Sequence, residues 1–183
     1  MFTFKLNPDA TWHDGTPVTA DDVIYTAATA AQMAETYTTN GTYAISNWTS
    51  VLGADKVAGT TDIPEGLKKI DDHTVEFTLA APNAVWLRFL ADPAYMIMPK
   101  HILEGMDAAA IQASDFANGV GTIGSGPYKL TSFTPDVGIE YAANEAYHKG
   151  APNIPKLIFK LGVDPATAAA QIQSGELDMA IEM

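Results

Sequence analysis

At 183 residues the chain is long enough to bury a core of its own, and length alone allows one domain or two small ones. Its 10 Lys and Arg against 22 Asp and Glu give a net charge of −12, which argues against nucleic acid as a partner, because phosphate backbones need clustered cations. The absence of cysteine excludes disulfides, zinc–thiolate sites and cysteine nucleophiles, and no apolar run reaches a membrane span, Arg88 interrupting the richest one.

In chain order, Phe2, Phe4 and Leu6 alternate with Thr3 and Lys5, which predicts an opening strand with one apolar face. Asn7-Pro8-Asp9 and Asp14-Gly15-Thr16-Pro17 supply turn residues. Thr19 is placed to cap a helix through its hydroxyl, with Asp22 reaching back to it. Val23, Ile24, Ala27, Ala30, Ala31 and Ala34 then recur at spacings of three and four, so that helix buries one face. Thr36 to Ala54 carries no charge over 19 residues but holds Tyr37, Tyr43 and Trp48 among hydroxyls and amides. Two readings stand side by side: a ligand wall, with rings giving area and polar groups giving orientation, or a packed face of Tyr43, Ile45, Trp48 and Leu52.

Leu67 to Leu79 reads as a hairpin turning at Asp71-Asp72-His73, with Val75, Phe77 and Leu79 on one face. Asn83 can cap a helix containing Val85, Trp86, Phe89 and Leu90, and two more short helices are expected over 101–106 and 108–116. The glycines of GVGTIGSGPYKL, 119–130, permit sharp bends before Pro127 stiffens the exit into a strand, Tyr128 to Phe133. Thr134-Pro135-Asp136 turns that strand onto Gly138 to Ala142. Lys156 to Gly162 reads as a buried strand, and Asp164 caps a helix with Pro165 first, Ala169 and Ile172 inward and Gly175 just past its end. Leu177 to Ile181 then completes a strand–helix–strand unit with a right-handed crossover. The internal boundary falls near residue 122.

Gly119, Gly121 and Gly124 match G-x-G-x-x-G literally, but a dinucleotide site needs a strand before and a helix after, and here the order is reversed. The four histidines, His13, His73, His101 and His148, show no metal-ligand spacing, so no metal or other cofactor is expected. His13-Asp14 suggests acid–base chemistry only if a nucleophile and an orienting third group join them, and neither is identifiable; a small acidic hydrolase stays as the alternative, beside a protein-interaction module presenting the three rings.

WHDGTPVTADDV, Trp12 to Val23, resembles the signature of family 5 extracellular solute-binding proteins, the peptide and nickel receptors of ABC importers. Gly124-Ser125-Gly126-Pro127-Tyr128 resembles that family's Gly-Thr-Gly-Pro-Tyr element, with Ser125 replacing Thr. Asn144-Glu145-Ala146-Tyr147 resembles its Asn-Pro-x-Tyr-Trp motif, departing at Glu145 and His148, and the ending SGELDMAI resembles its closing segment. The four matches occur in the family's order. The resemblance implies a mixed α+β and α/β fold of the class II periplasmic-binding-protein kind, as a segment without the large C-terminal lobe and without a signal peptide. It implies a smaller lobe over 1–121 and part of the ligand-facing lobe over 122–183. It places Gly124, Ser125 and Gly126 where the chain returns between lobes, and aromatic residues such as Tyr37, Tyr43 and Trp48 towards ligand. The implied partners are a small solute, peptide being the commonest class, and the importer's membrane subunits; the implied location is the periplasm or the outer face of the membrane, and the task is binding, not catalysis.

Overall fold

The computed structural model describes residues 1–32, 48–92, 95–119 and 121–180. Two three-stranded sheets organise them. In the first, β3 (Thr74–Phe77) lies between β1 (Phe2–Lys5) and β2 (Leu67–Asp71), antiparallel to both. The register sets Phe2 opposite Phe77 and Phe4 opposite Val75, so alternate residues of β1 and β3 point to the same side. On that side lies α1 (Ala20–Gln32), whose Ala20, Val23, Ala27, Ala28 and Ala31 are buried. Small side chains let this helix approach the sheet closely. The predicted strand, helix and hairpin are therefore all present.

Aromatic rings fill the rest of this core. Trp86 is the one buried residue of the single-turn helix α2 (Trp86–Phe89) and is fully enclosed. Its ring stacks on Phe2 at 5.0 Å and meets Phe77 at 5.3 Å. The helix is not capped by Asn83, whose Oδ1 instead accepts the Val85 amide in a turn just ahead of it. Gly66 explains how the segment before β2 fits. Its amide donates to Leu52 O and its carbonyl accepts from Thr78 N, both at 2.8 Å, and a Cβ there would collide with the Thr78 carbonyl.

Short helices α3 (Lys100–Leu103), α4 (Ala108–Ala113) and α5 (Asp115–Asn118) lead to the second sheet. There β4 (Tyr128–Thr134), β5 (Gly138–Ala143) and β6 (Lys156–Lys160) form an antiparallel meander. The turn between β4 and β5 closes by Val137 N donating to Thr134 O at 3.1 Å, with Pro135 first and Asp136 at φ 61° second, the arrangement of a type II turn. Helix α6 (Pro165–Ser174) begins as expected: Asp164 accepts the amides of Ala166 and Thr167, Pro165 stands at the first position, and Gly175 takes φ 79° at the end.

Three expectations need correction in this half. Strand β6 is an exposed edge, with Ile158 58% and Phe159 41% accessible, because no layer of the described chain covers it. In α6 it is Ala168 that is buried, while Ile172 is exposed. Leu177 to Ala180 form no strand, so the strand–helix–strand unit is not closed among the described residues; Ile181 lies outside them.

Candidate functional site

The segment after β1 folds into a tight loop. Trp12 N donates to Thr16 O at 2.8 Å, Gly15 N donates to Trp12 O at 2.9 Å, and Gly15 takes φ 92°, a conformation that other residues rarely adopt. Asp14 closes the turn by accepting the Thr16 amide at 2.9 Å. This geometry turns His13 outward from the loop towards the segment that leads into the second sheet.

His13 joins the two parts of the chain through four hydrogen bonds. Its amide donates to Gly124 O at 2.8 Å, and its carbonyl accepts from Lys129 Nζ at 2.9 Å. Its ring Nδ1 accepts the Gly124 amide at 3.2 Å, and Nε2 lies 3.1 Å from Gly126 O. A carbonyl only accepts and an amide only donates, so the ring is neutral with its proton on Nε2. Burial among these partners, reinforced by the Lys129 charge, holds the imidazole below its usual pKa despite the Gly126 bond and Asp14.

Asn144 reaches the same point from β5. It is 3% exposed, its side-chain amide donates to Gly126 O at 3.2 Å, and its backbone amide donates to Pro127 O at 2.8 Å. Three of the four segments singled out in the sequence therefore meet: the His-Asp-Gly loop, the Gly-Ser-Gly-Pro-Tyr crossing and the Asn-Glu-Ala-Tyr turn. No periodicity could show this, since more than a hundred residues separate His13 from Gly124.

A buried carboxylate anchors the loop from beneath. Asp22, 4% exposed in the first turn of α1, accepts Trp12 Nε1 at 3.3 Å and Thr19 N at 2.9 Å on Oδ2, and Lys100 N at 2.9 Å on Oδ1. The expected cap is thus reversed. Asp22 reaches back as predicted, but the Thr19 hydroxyl donates to it at 3.5 Å instead of accepting an amide. The helix also holds α3 and the segment before it: Thr26 Oγ accepts Met98 N at 2.8 Å, and Tyr25 donates to Leu103 O at 2.8 Å. His101 of α3 completes the cluster, its Nε2 lying 2.8 Å from Asp14 Oδ2. Burial pushes the Asp14 pKa up, but the Thr16 amide and His101 outweigh it and leave the carboxyl below its usual range.

This arrangement does not suit a hydrolase. Both nitrogens of the His13 ring are engaged by backbone, and Asp14 pairs with His101, so His13 and Asp14 form no relay. Among the described residues no group of three or more His, Cys, Asp or Glu is disposed to hold a metal ion. Gly119, Gly121 and Gly124 follow α5 and precede β4, so they open no helix. Of the three rings considered for a ligand wall, Trp48 stands in the core at 4% exposure, against Tyr95 at 5.6 Å and Phe77 at 5.9 Å. Tyr37 and Tyr43 lie outside the described residues.

Comparison with known proteins agrees with this reading of the motifs. The profile of the bacterial extracellular solute-binding proteins, family 5, middle region, matches residues 1–183. The periplasmic oligopeptide-binding protein OppA of Salmonella typhimurium is 30% identical over 98% of this chain and 32% of its own length. Among solved structures, the ABC transporter substrate-binding protein CtaP of Listeria monocytogenes is 31% identical with a TM-score of 0.72, over 96% of this chain and 32% of its own. NikZ of Campylobacter jejuni, solved with Ni(L-His), is 26% identical with a TM-score of 0.72, over 96% of this chain and 30% of its own. The chain spans about a third of the length of these relatives. Its mixed α/β fold is that of periplasmic binding proteins, and of these relatives one is an oligopeptide-binding protein, one is an ABC transporter's substrate-binding protein and one was solved with a nickel–histidine ligand. Matched across its whole length, the chain belongs to family 5 of the bacterial extracellular solute-binding proteins.

Proposed function

We propose that this chain forms one side of a receptor that captures a peptide or similar small solute outside the cytoplasmic membrane and delivers it, unaltered, to the membrane subunits of an ABC importer. In this reading residues 1–121 form the smaller lobe and residues 122–183 belong to the ligand-facing lobe. Gly124, Ser125 and Gly126 serve as the crossing that absorbs backbone rotation when the lobes close. The observation that carries the proposal is the convergence of three motifs on His13 at that crossing. A backbone junction with every ring nitrogen occupied suits a mechanical part better than a reactive one. Tyr37 and Tyr43 are the candidates for the ligand wall, while the packing of Trp48 supports a part in holding the core behind it.

Affinity for small solutes comes from enclosing most of the ligand surface. Titration calorimetry of the 183-residue chain with short peptides and with nickel–histidine is therefore expected to show little or no heat, whereas a longer protein containing this chain binds one of them. Tight binding by the 183 residues alone would overturn the two-lobed part of the proposal.

A further inference from the structure

We propose that His13 is a proton-sensitive clasp: its neutral ring fastens the His-Asp-Gly loop to the Gly124–Gly126 crossing, and protonation of the ring unfastens it. The argument starts from the two ring contacts. Gly124 N–H points at Nδ1 at 3.2 Å, and Nε2–H points at Gly126 O at 3.1 Å. A second proton has only Nδ1 to go to. There it would face an amide hydrogen, donor against donor, so the charged ring cannot keep the Gly124 bond.

The groups around the ring act in both directions. Lys129 of β4, held 2.9 Å from the His13 carbonyl, opposes a positive charge on the ring. Asp14 in the same loop favours one, but its Oδ2 is committed to His101 of α3 at 2.8 Å. Asn144 is neutral and shares Gly126 O with the ring. Close packing adds a steric element: a Cβ placed on Gly124 would stand 3.2 Å from His13 Cε1, so the ring fits against a bare backbone. The imidazole is correspondingly held below its usual pKa, mainly by burial. The sign follows: the clasp is at full strength above about pH 6.5 and is lost as the pH falls through the lowered value. This clasp is a property of the junction and requires nothing of the solute, so its failure and that of the receptor reading are distinguishable.

The test reads the ring and the crossing together. Nitrogen-15 NMR of the histidine rings is expected to show His13 as the Nε2–H tautomer at pH 7.5, with a titration midpoint under 6.5. The Gly124 amide should titrate with the same midpoint. Its hydrogen-exchange protection, corrected for intrinsic rate, should fall on acidification by about tenfold for each unit that the midpoint lies under the ordinary value. His13→Asn retains an acceptor for Gly124 N–H but no titratable group, and should give a flat response between about pH 5 and 8. In His101→Gln, which keeps a donor for Asp14 Oδ2, the Gly124 amide should still titrate together with His13. A midpoint at or above 6.5, the opposite tautomer, a Gly124 amide indifferent to the titration, or an unchanged response in His13→Asn would each overturn the proposal. The ring spectra of the unaltered protein decide the question even where a variant does not fold.

Discussion

Asp22→Ala is expected to destabilise the protein by about 3–5 kcal/mol, read as a fall in the urea midpoint with an unchanged denaturant slope. The carboxylate is 4% exposed and satisfies three N–H donors from three segments: the Trp12 indole, the Thr19 amide and the Lys100 amide. Alanine removes these three acceptor contacts at once, together with the longer one from the Thr19 hydroxyl. Each buried donor left unpaired costs roughly 1–3 kcal/mol, more than the net gain of forming its bond in the first place. Asp22→Asn restores one acceptor oxygen but aims an amide group at donors, so a loss of about 2 kcal/mol is expected. The effect extends past the first turn of α1. With Lys100 N released, α3 loses a tie that sets His101 beside Asp14. A loss under about 1 kcal/mol for the alanine variant would mean that water replaces the carboxylate, and that the site is wetter than its burial indicates.

Trp86→Ala is the second substitution expected to have a large effect, about 3–5 kcal/mol, on the same denaturation measurement. The side chain is fully enclosed and lies within 6.5 Å, centroid to centroid, of Phe2, Phe4, Trp48 and Phe77. Those rings come from β1, β3 and the segment just before the 3-10 turn at Ala54–Lys56. They cannot all collapse into the space left behind, because three of them, Phe2, Phe4 and Phe77, are fixed by the β1–β3 register. Trp86→Phe keeps an aromatic face and should cost roughly 1–3 kcal/mol. Near-UV circular dichroism should separate the two variants, the alanine form losing most of its aromatic signal. Equal losses for the two would show that the site is loosely packed and that ring area does not govern it.

How much of this was legible beforehand follows from the range of each signal. Local signals were read well. The alternation of Phe2, Phe4 and Leu6, the hairpin expected to turn at Asp71-Asp72-His73, where Asp71 proves to end β2, and the Asp164, Pro165 and Gly175 punctuation of α6 all depend on residues a few positions apart. Signals that depend on what lies opposite were not. The apolar run of β6 reads as buried, yet burial of a strand is decided by the layer laid over it, and among the described residues none covers Ile158 and Phe159. A four-residue capping rule gives the cap at Thr19 the opposite direction, because Asp22 gathers donors from Trp12 and Lys100, which lie beyond its span.

The site shows the same division. The motifs were visible one by one, and their order along the chain carried the family resemblance. Their meeting point was not visible. From the sequence His13 is half of a His-Asp pair with no nucleophile beside it; in the structure the turn presents its ring to Gly124 and Gly126. A signal was available in principle: three separate motifs of one resemblance, with no reactive constellation in any of them, point to a shared structural junction. Trp48 was open to two readings, and its position among Phe77, Trp86 and Tyr95 accounts for its ring by packing.

The claim that this chain serves to grip a solute and not to change it is tested most directly by recovering what the protein holds. A longer protein containing these residues, incubated with a mixed library of short peptides and passed through native mass spectrometry, is expected to retain peptide in a one-to-one complex. On denaturation the released peptide should have the mass of the one supplied. Recovery of cleaved or otherwise altered peptide, with turnover abolished by His13→Ala, would contradict the account and restore the hydrolase.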